Sequence, residues 1–128
     1  MTVELNHTIV AARDKWSAAR FLAEVLGLPE PVEFGPFAVV ALHNGVSLDV
    51  VDVEDEVASQ HYAFLISEDE FDAVAARLRE REVPTYADPA HQQSGHNTHD
   101  GGRGMYFDSP DGHNLEVLTR PYGSGDQP

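Results

Sequence analysis

Histidines and carboxylates recur in this chain at matching places. Gly45-Val46-Ser47-Leu48-Asp49-Val50 and Gly112-His113-Asn114-Leu115-Glu116-Val117 each put a carboxylate directly after a leucine in a β-like run. Upstream of each lies a histidine in another strand-like run, His7 within residues 3–11 and His61 within 61–66. Two imidazoles and two carboxylates in a duplicated unit suggest a metal site on a pseudo-twofold axis. Imidazole nitrogen with carboxylate oxygen suits Fe, Mn, Ni, Co or Zn as the divalent ion, with coordination positions left open. The chain has no cysteine, so thiolate ligands, cysteine nucleophiles and disulfides are excluded.

The elements that must position these residues can be read in outline. Val3, Leu5, His7 and Ile9 alternate with polar residues, a strand pattern that puts His7 on the mostly apolar face. Asp14 opens a helix whose apolar stripe includes Trp16, Ala19, Leu22 and Val25, and Gly27 is its expected C-cap. Strands follow at 37–42 and 46–53 around an Asn44-Gly45 turn, with a short strand expected near 32–34. The acidic stretch 52–60 reads as a linker. The second half restarts with a strand at 61–66. Ser67 and Glu70 then form a capping box before the stripe Phe71, Val74, Ala75 and Leu78. Thr85-Tyr86-Ala87 reads as a short strand, and a final hairpin turns at Ser109-Pro110-Asp111-Gly112. The histidines stand 54 positions apart and the carboxylates 67, so the second half carries thirteen extra residues. They fall in a polar loop at about 86–102, which holds His91, His96 and His99. A long polar loop added to one half of a repeat is an expected place for substrate handling.

Each candidate has a plainer reading. A lone histidine among apolar neighbours is ordinarily a hydrogen-bonded structural residue. Asp49 is a methylene shorter than Glu, so it is either a direct ligand or a hydrogen-bonding partner. His113 alternates away from Glu116 and reads as a turn or surface residue. Tyr106 is either a substrate contact or core packing. Arg103 either meets an anionic substrate or pairs with surface acids.

The chain has 128 residues with 41% hydrophobic content, enough for one domain with a core. Its formal charge is −14, which repels nucleic acid and anionic membranes. No apolar run approaches the ~20 residues of a bilayer span. No basic segment precedes an apolar run at the N-terminus, so the expected location is cytoplasmic. Phosphate-binding glycine loops and the nucleophile elbow are absent.

The segment Gly104-Met105-Tyr106-Phe107-Asp108-Ser109-Pro110-Asp111-Gly112-His113-Asn114-Leu115-Glu116, with the early His7 and the His61-Tyr62-Ala63-Phe64 strand, resembles the vicinal oxygen chelate superfamily. That superfamily includes glyoxalase I, fosfomycin-resistance thiol transferases, extradiol dioxygenases and bleomycin-resistance proteins. The resemblance spans about residues 3–120. It implies an α+β fold of two βαβββ modules, about 3–54 and 60–120, forming a curved eight-stranded mixed sheet with outer helices. Residues 1–122 would be a single domain and 123–128 a flexible tail.

The resemblance also implies metal ligation by His7, His61 and Glu116, with Asp49 as fourth ligand or as a hydrogen-bonding partner of a ligand. Tyr106 would contact substrate, and His96 or His99 would be the acid or base. The expected activity is that of a metal-dependent lyase, isomerase or dioxygenase on a small substrate that chelates the metal through vicinal oxygens. The expected assembly is a homodimer. The alternative is a metal-free, small-molecule-binding protein of the bleomycin-resistance kind, against which the presence of all three ligand types argues.

Overall fold

A computed structural model describes residues 2–125. The chain divides into two compact units, with the break between Ala58 and Ser59, inside the stretch read as a linker.

The first unit runs β1 (His7–Ala12), α1 (Lys15–Leu26), β2 (Val32–Phe34), β3 (Phe37–Ala41) and β4 (Ser47–Asp52). Its sheet has the order β1-β4-β3-β2, with β1 parallel to β4 and the other pairs antiparallel. The side chain of Asp14 caps α1 by accepting from the N–H groups of Trp16 and Ser17. Gly27 ends it in the left-handed region at φ 70°, which a residue with a Cβ adopts only at a cost. Val10, Ala12, Ala38, Val40, Leu48 and Val50 are buried, as are Ala19, Leu22 and Val25 of α1, which packs against this sheet.

The first strand is shorter than the alternation from Val3 suggests, beginning only at His7. The apolar row Val3, Leu5 and Ile9 that His7 joins is exposed, at 103%, 68% and 55%, and His7 is exposed with it. The buried side of β1 is that of Val10 and Ala12. The alternation was legible, but the helix covers the other face.

The second unit runs β5 (His61–Leu65), α2 (Glu68–Glu80), a single 3-10 turn (His99–Gly101), β6 (Gly104–Asp108) and β7 (Asn114–Leu118). The strand order is β5-β7-β6, with β5 parallel and β6 antiparallel to β7. The Ser67–Glu70 capping box is formed in both directions, at 2.9 and 3.1 Å. Phe71, Val74 and Leu78 of α2 are buried, as are Met105, Phe107, Leu115 and Val117. Each such side chain contributes roughly 1.5–3 kcal/mol of apolar burial.

The described residues thus form seven strands in two sheets and two α-helices, a mixed α+β fold built on a repeated strand–helix–strand plan. The expected eighth strand at 85–87 is reduced to bridges, Tyr86 pairing with Tyr106 on one side and Ser94 on the other. The longer connection folds back on itself and takes the hydrogen bonds a strand would use. The tail expected to fray from 123 falls partly on residues 126–128, outside the described residues. No described helix is long and apolar enough to cross a membrane.

Candidate functional site

The parallel strand pairs give the repeat a geometric form. His7 stands in register with Ser47 and Ile9 with Asp49, while His61 stands in register with Asn114 and Ala63 with Glu116. In both units the carboxylate lies two positions beyond the register partner of the histidine. Side chains two apart on a strand share a face, so each unit presents one histidine and one carboxylate on the same side of its sheet.

In the second unit the two side chains meet. His61 Nε2 lies 3.0 Å from Glu116 Oε1. The other ring nitrogen, Nδ1, lies 2.9 Å from the backbone carbonyl of Asn114. A carbonyl only accepts, so Nδ1 carries the hydrogen and donates it. Nε2 then turns its lone pair toward a carboxylate oxygen. Two acceptors at that distance need either a proton shared between them or a metal ion bound to both. A ring nitrogen donating to a backbone carbonyl while the other faces the ligand position is the usual support of a metal-binding histidine.

Glu116 is 2% exposed, so its carboxylate has few partners besides these. Tyr122 donates its hydroxyl hydrogen to Glu116 Oε2. Tyr106 Oη lies 3.0 Å from Tyr122 Oη, and with the Tyr122 hydrogen committed to Glu116, Tyr106 must be the donor. Tyr106 faces Glu116 in the β6–β7 register, and its ring stacks on His61 with centroids 5.9 Å apart. Burial raises the pKa of the Tyr106 phenol, partly offset by its bond to Tyr122. Burial, and then the bond to Glu116, pushes the Tyr122 phenol well above its ordinary value. Both phenols therefore remain donors at neutral pH.

The other candidates are placed as follows. In the first unit Asp49 accepts from the Ser47 hydroxyl at 2.9 Å, and His7 Nδ1 lies 2.7 Å from the Asn6 side-chain oxygen. Among the described residues, no three of the His, Asp and Glu side chains converge as a metal-holding group. His96 lies edge-on to Phe71 and lines a cavity of about 670 Å³ with Met105 and Arg79, on the α2 side of the sheet. Tyr106 alternates with Met105 and so points to the opposite side. His99 lies edge-on to Tyr122, with centroids 6.3 Å apart. Arg103 pairs with Glu68 and Asp72 of α2 and caps the Phe71 ring, so the surface-acid reading holds for it.

His113 departs from the turn-or-surface expectation. It is 2% exposed, its Nδ1 accepts from the Gln60 N–H at 3.1 Å, and its ring meets Tyr62 edge-on. Alternation set it off correctly from Glu116, but the far face of β7 is interior rather than solvent.

Two features of this site went unread in the sequence. Tyr122 lies in a stretch of Gly, Ser, Pro and Asp, and its aromatic ring there was the available signal. His91 stacks on Tyr86 at 4.2 Å and bonds the Asn114 side chain at 3.0 Å, a link across 23 positions that no local pattern encodes.

Comparison with known proteins identifies the family. Two solved structures, oxidase ChaP-H1 and oxidase ChaP-H2, are 56% and 57% identical to this chain. The first match covers 95% of this chain and 99% of the other, with a TM-score of 0.93. The second covers 98% and 100%, with a TM-score of 0.95. The glutathione transferase FosA of Serratia marcescens is 28% identical over 123 residues, covering 91% of this chain and 81% of that protein. The family model matches residues 4–117, almost the whole repeat, a range that contains His7, Asp49, His61 and Glu116. With that match and the repeated histidine–carboxylate register, the chain belongs to the Glyoxalase/Bleomycin resistance protein/Dioxygenase superfamily.

Proposed function

We propose that this protein is a divalent-metal-dependent oxidase acting on a small substrate that approaches the metal through neighbouring oxygen atoms. His61 and Glu116 would hold the ion, and His7 and Asp49, at the matching positions of the first unit, are the candidates for a further imidazole ligand and for a fourth ligand or hydrogen-bonding partner. The observation that carries the metal dependence is the pair of facing acceptors, His61 Nε2 and Glu116 Oε1, each held from behind by a hydrogen bond. The donor set, imidazole nitrogen and carboxylate oxygen without sulfur, fits Fe(II), Mn(II), Co(II), Ni(II) or Zn(II). The oxidase branch is supported by likeness to the two proteins named oxidases, and Fe is the ion that branch favours.

When bound, the ion would supply Lewis-acid and redox chemistry to the substrate oxygens. The remaining work falls to the chain. Tyr106 stands beside Glu116 with its phenol protonated, and its hydrogen, donated to Tyr122 here, can turn to a substrate oxyanion. His99, next to Tyr122, is the loop histidine better placed to move a proton, while His96 faces the helix-side cavity. A homodimer is proposed because the exposed apolar row beside His7 needs a cover.

The test is elemental mass spectrometry on untagged protein, for wild type, His61→Ala and Glu116→Gln. Near-stoichiometric metal that disappears in both variants is the expected result. No metal as purified, and no uptake of any of the five ions on reconstitution, would leave a metal-free binding protein as the function. An iron-loaded wild type that forms a high-spin nitrosyl EPR signal supports the oxidase branch. Binding without that signal moves the reading to isomerase, lyase or transferase chemistry.

A further inference from the structure

The C-terminal residues 121–125 return to the site and are pinned there. Asp100, in the turn of the inserted loop, accepts the Gly123 N–H on Oδ2 at 3.1 Å and the Gly125 N–H on Oδ1 at 3.2 Å. Gly125 lies so close that a Cβ on it would stand 2.5 Å from the Asp100 Cα. Arg120 Nη2 donates to the Ser124 carbonyl at 3.1 Å, closing the segment on itself. Between these fixings Tyr122 is held with a half-exposed ring and a committed hydroxyl, donating to Glu116 Oε2 and accepting from Tyr106.

A carboxylate can bind a metal through one oxygen or both. Here the two oxygens of Glu116 are already distinguished, with Oε1 facing His61 Nε2 and Oε2 facing the Tyr122 phenol. The phenol hydrogen fills one lone pair of Oε2 and competes with a second metal bond there. We infer that Tyr122 is a positioning residue, held by a C-terminal strap anchored on Asp100, which occupies the outer oxygen of Glu116 and keeps that carboxylate a one-oxygen ligand. The saved coordination position is the one a substrate binding through two neighbouring oxygens needs. This inference rests on the metal-dependent reading above. It adds a role for a segment that lies outside the residues matched to the superfamily, which end at 117.

The experiment is a titration of metal-free protein with Co(II), whose absorption reports both affinity and ligand field. The proteins are wild type, Tyr122→Phe, Asp100→Asn and, as control, His61→Ala. Tyr122→Phe keeps the ring and removes only the hydroxyl; an unchanged thermal midpoint shows that it folds. Loss of such a supporting hydrogen bond typically lowers metal affinity about 10-fold or more. The expected result is a loss of that size with shifted ligand-field bands. Asp100→Asn leaves one of the two glycine N–H groups unpaired and should give a smaller change in the same direction.

Wild-type affinity and spectrum in Tyr122→Phe would overturn the inference while leaving the metal site intact. A defect in Tyr122→Phe with a wild-type Asp100→Asn would overturn the strap and confine the role to the phenol. Wild type that binds no Co(II) would remove the metal reading itself, and this inference with it. Binding undiminished in His61→Ala would place the metal elsewhere and overturn both.

Discussion

Glu116 decides the character of the site at the scale of single residues. Burying a carboxylate that is 2% exposed costs several kcal/mol of desolvation, against which stand its contacts with His61 and Tyr122. A group kept for binding rather than for folding should be replaceable with no loss of stability. Glu116→Met, of similar shape and without the charge, is therefore expected to unfold at the same or a higher denaturant concentration than wild type when both are metal-free. His61→Ala leaves the carboxylate buried with less support, and should lower the metal-free stability by about 1 kcal/mol or more. Urea unfolding of the three proteins without metal checks both outcomes. A destabilised Glu116→Met would mean that the pair is there to hold the fold.

Asp49, the counterpart of Glu116 in the repeat, has different partners. It shares the register of Glu116 but takes its hydrogen bond from Ser47 on its own strand. Asp49→Ala is expected to weaken metal binding by less than Glu116→Gln does, as the same Co(II) titration would show. An equal loss would make Asp49 a direct ligand.

Helix α2 and the loop that follows it carry the second unit at the scale of elements. The capping box satisfies two N–H groups that the helix start would otherwise leave open, and Ser67→Ala is expected to cost about 1 kcal/mol in chemical unfolding. Arg103 ties α2 to β6 through Glu68 and Asp72. Hydrogen bonds from Thr119 and Arg103 hold the Glu68 carboxyl below its ordinary value of 4.5. A carboxylate with a lowered folded pKa stabilises above its unfolded pKa, and the effect is lost as pH falls through the folded one. The stability gap between wild type and Arg103→Ala should therefore be full near neutrality and narrow under acid conditions below the carboxylate range. A gap that stays constant with pH would assign the role of Arg103 to its packing on Phe71.

The inserted loop reaches back to the candidate metal pair. Its His91 bonds the side chain of Asn114, whose carbonyl orients His61. Asp88 anchors the loop start by accepting the N–H groups of Gln92 and Gln93. Deletion of residues 91–99 is accordingly expected to weaken metal binding as well as turnover.

At the scale of the whole molecule, the main facts are a charge of −14 and an uncovered apolar row at Val3, Leu5 and Ile9. Burying that row against a second copy is favoured by apolar area and opposed by like charge. Salt screens the repulsion and leaves the apolar term in place. The expected result in analytical ultracentrifugation is a dimer that tightens from low to physiological ionic strength. Ile9→Asp should shift it toward monomer with the fold intact by circular dichroism. A wild type that stays monomeric at all salt concentrations would leave the row to a different partner.

The sequence by itself determined the repeat, the two helices with their caps, the main strand pairs and the matched places of His7, Asp49, His61 and Glu116. These follow from local rules, namely alternation, helical spacing, cap chemistry and turn residues, which act over a few positions. Only the tertiary structure decided which face of each strand is buried, and so left the apolar row of β1 exposed and His113 inside. It alone brought Tyr122 to Glu116, His91 to Asn114 and Asp100 to the C-terminal glycines, and reduced the expected eighth strand to a bridge. Those contacts join segments 6 to 25 positions apart through loops without a periodic pattern, where side-chain reach and backbone path, rather than residue type, set who meets whom.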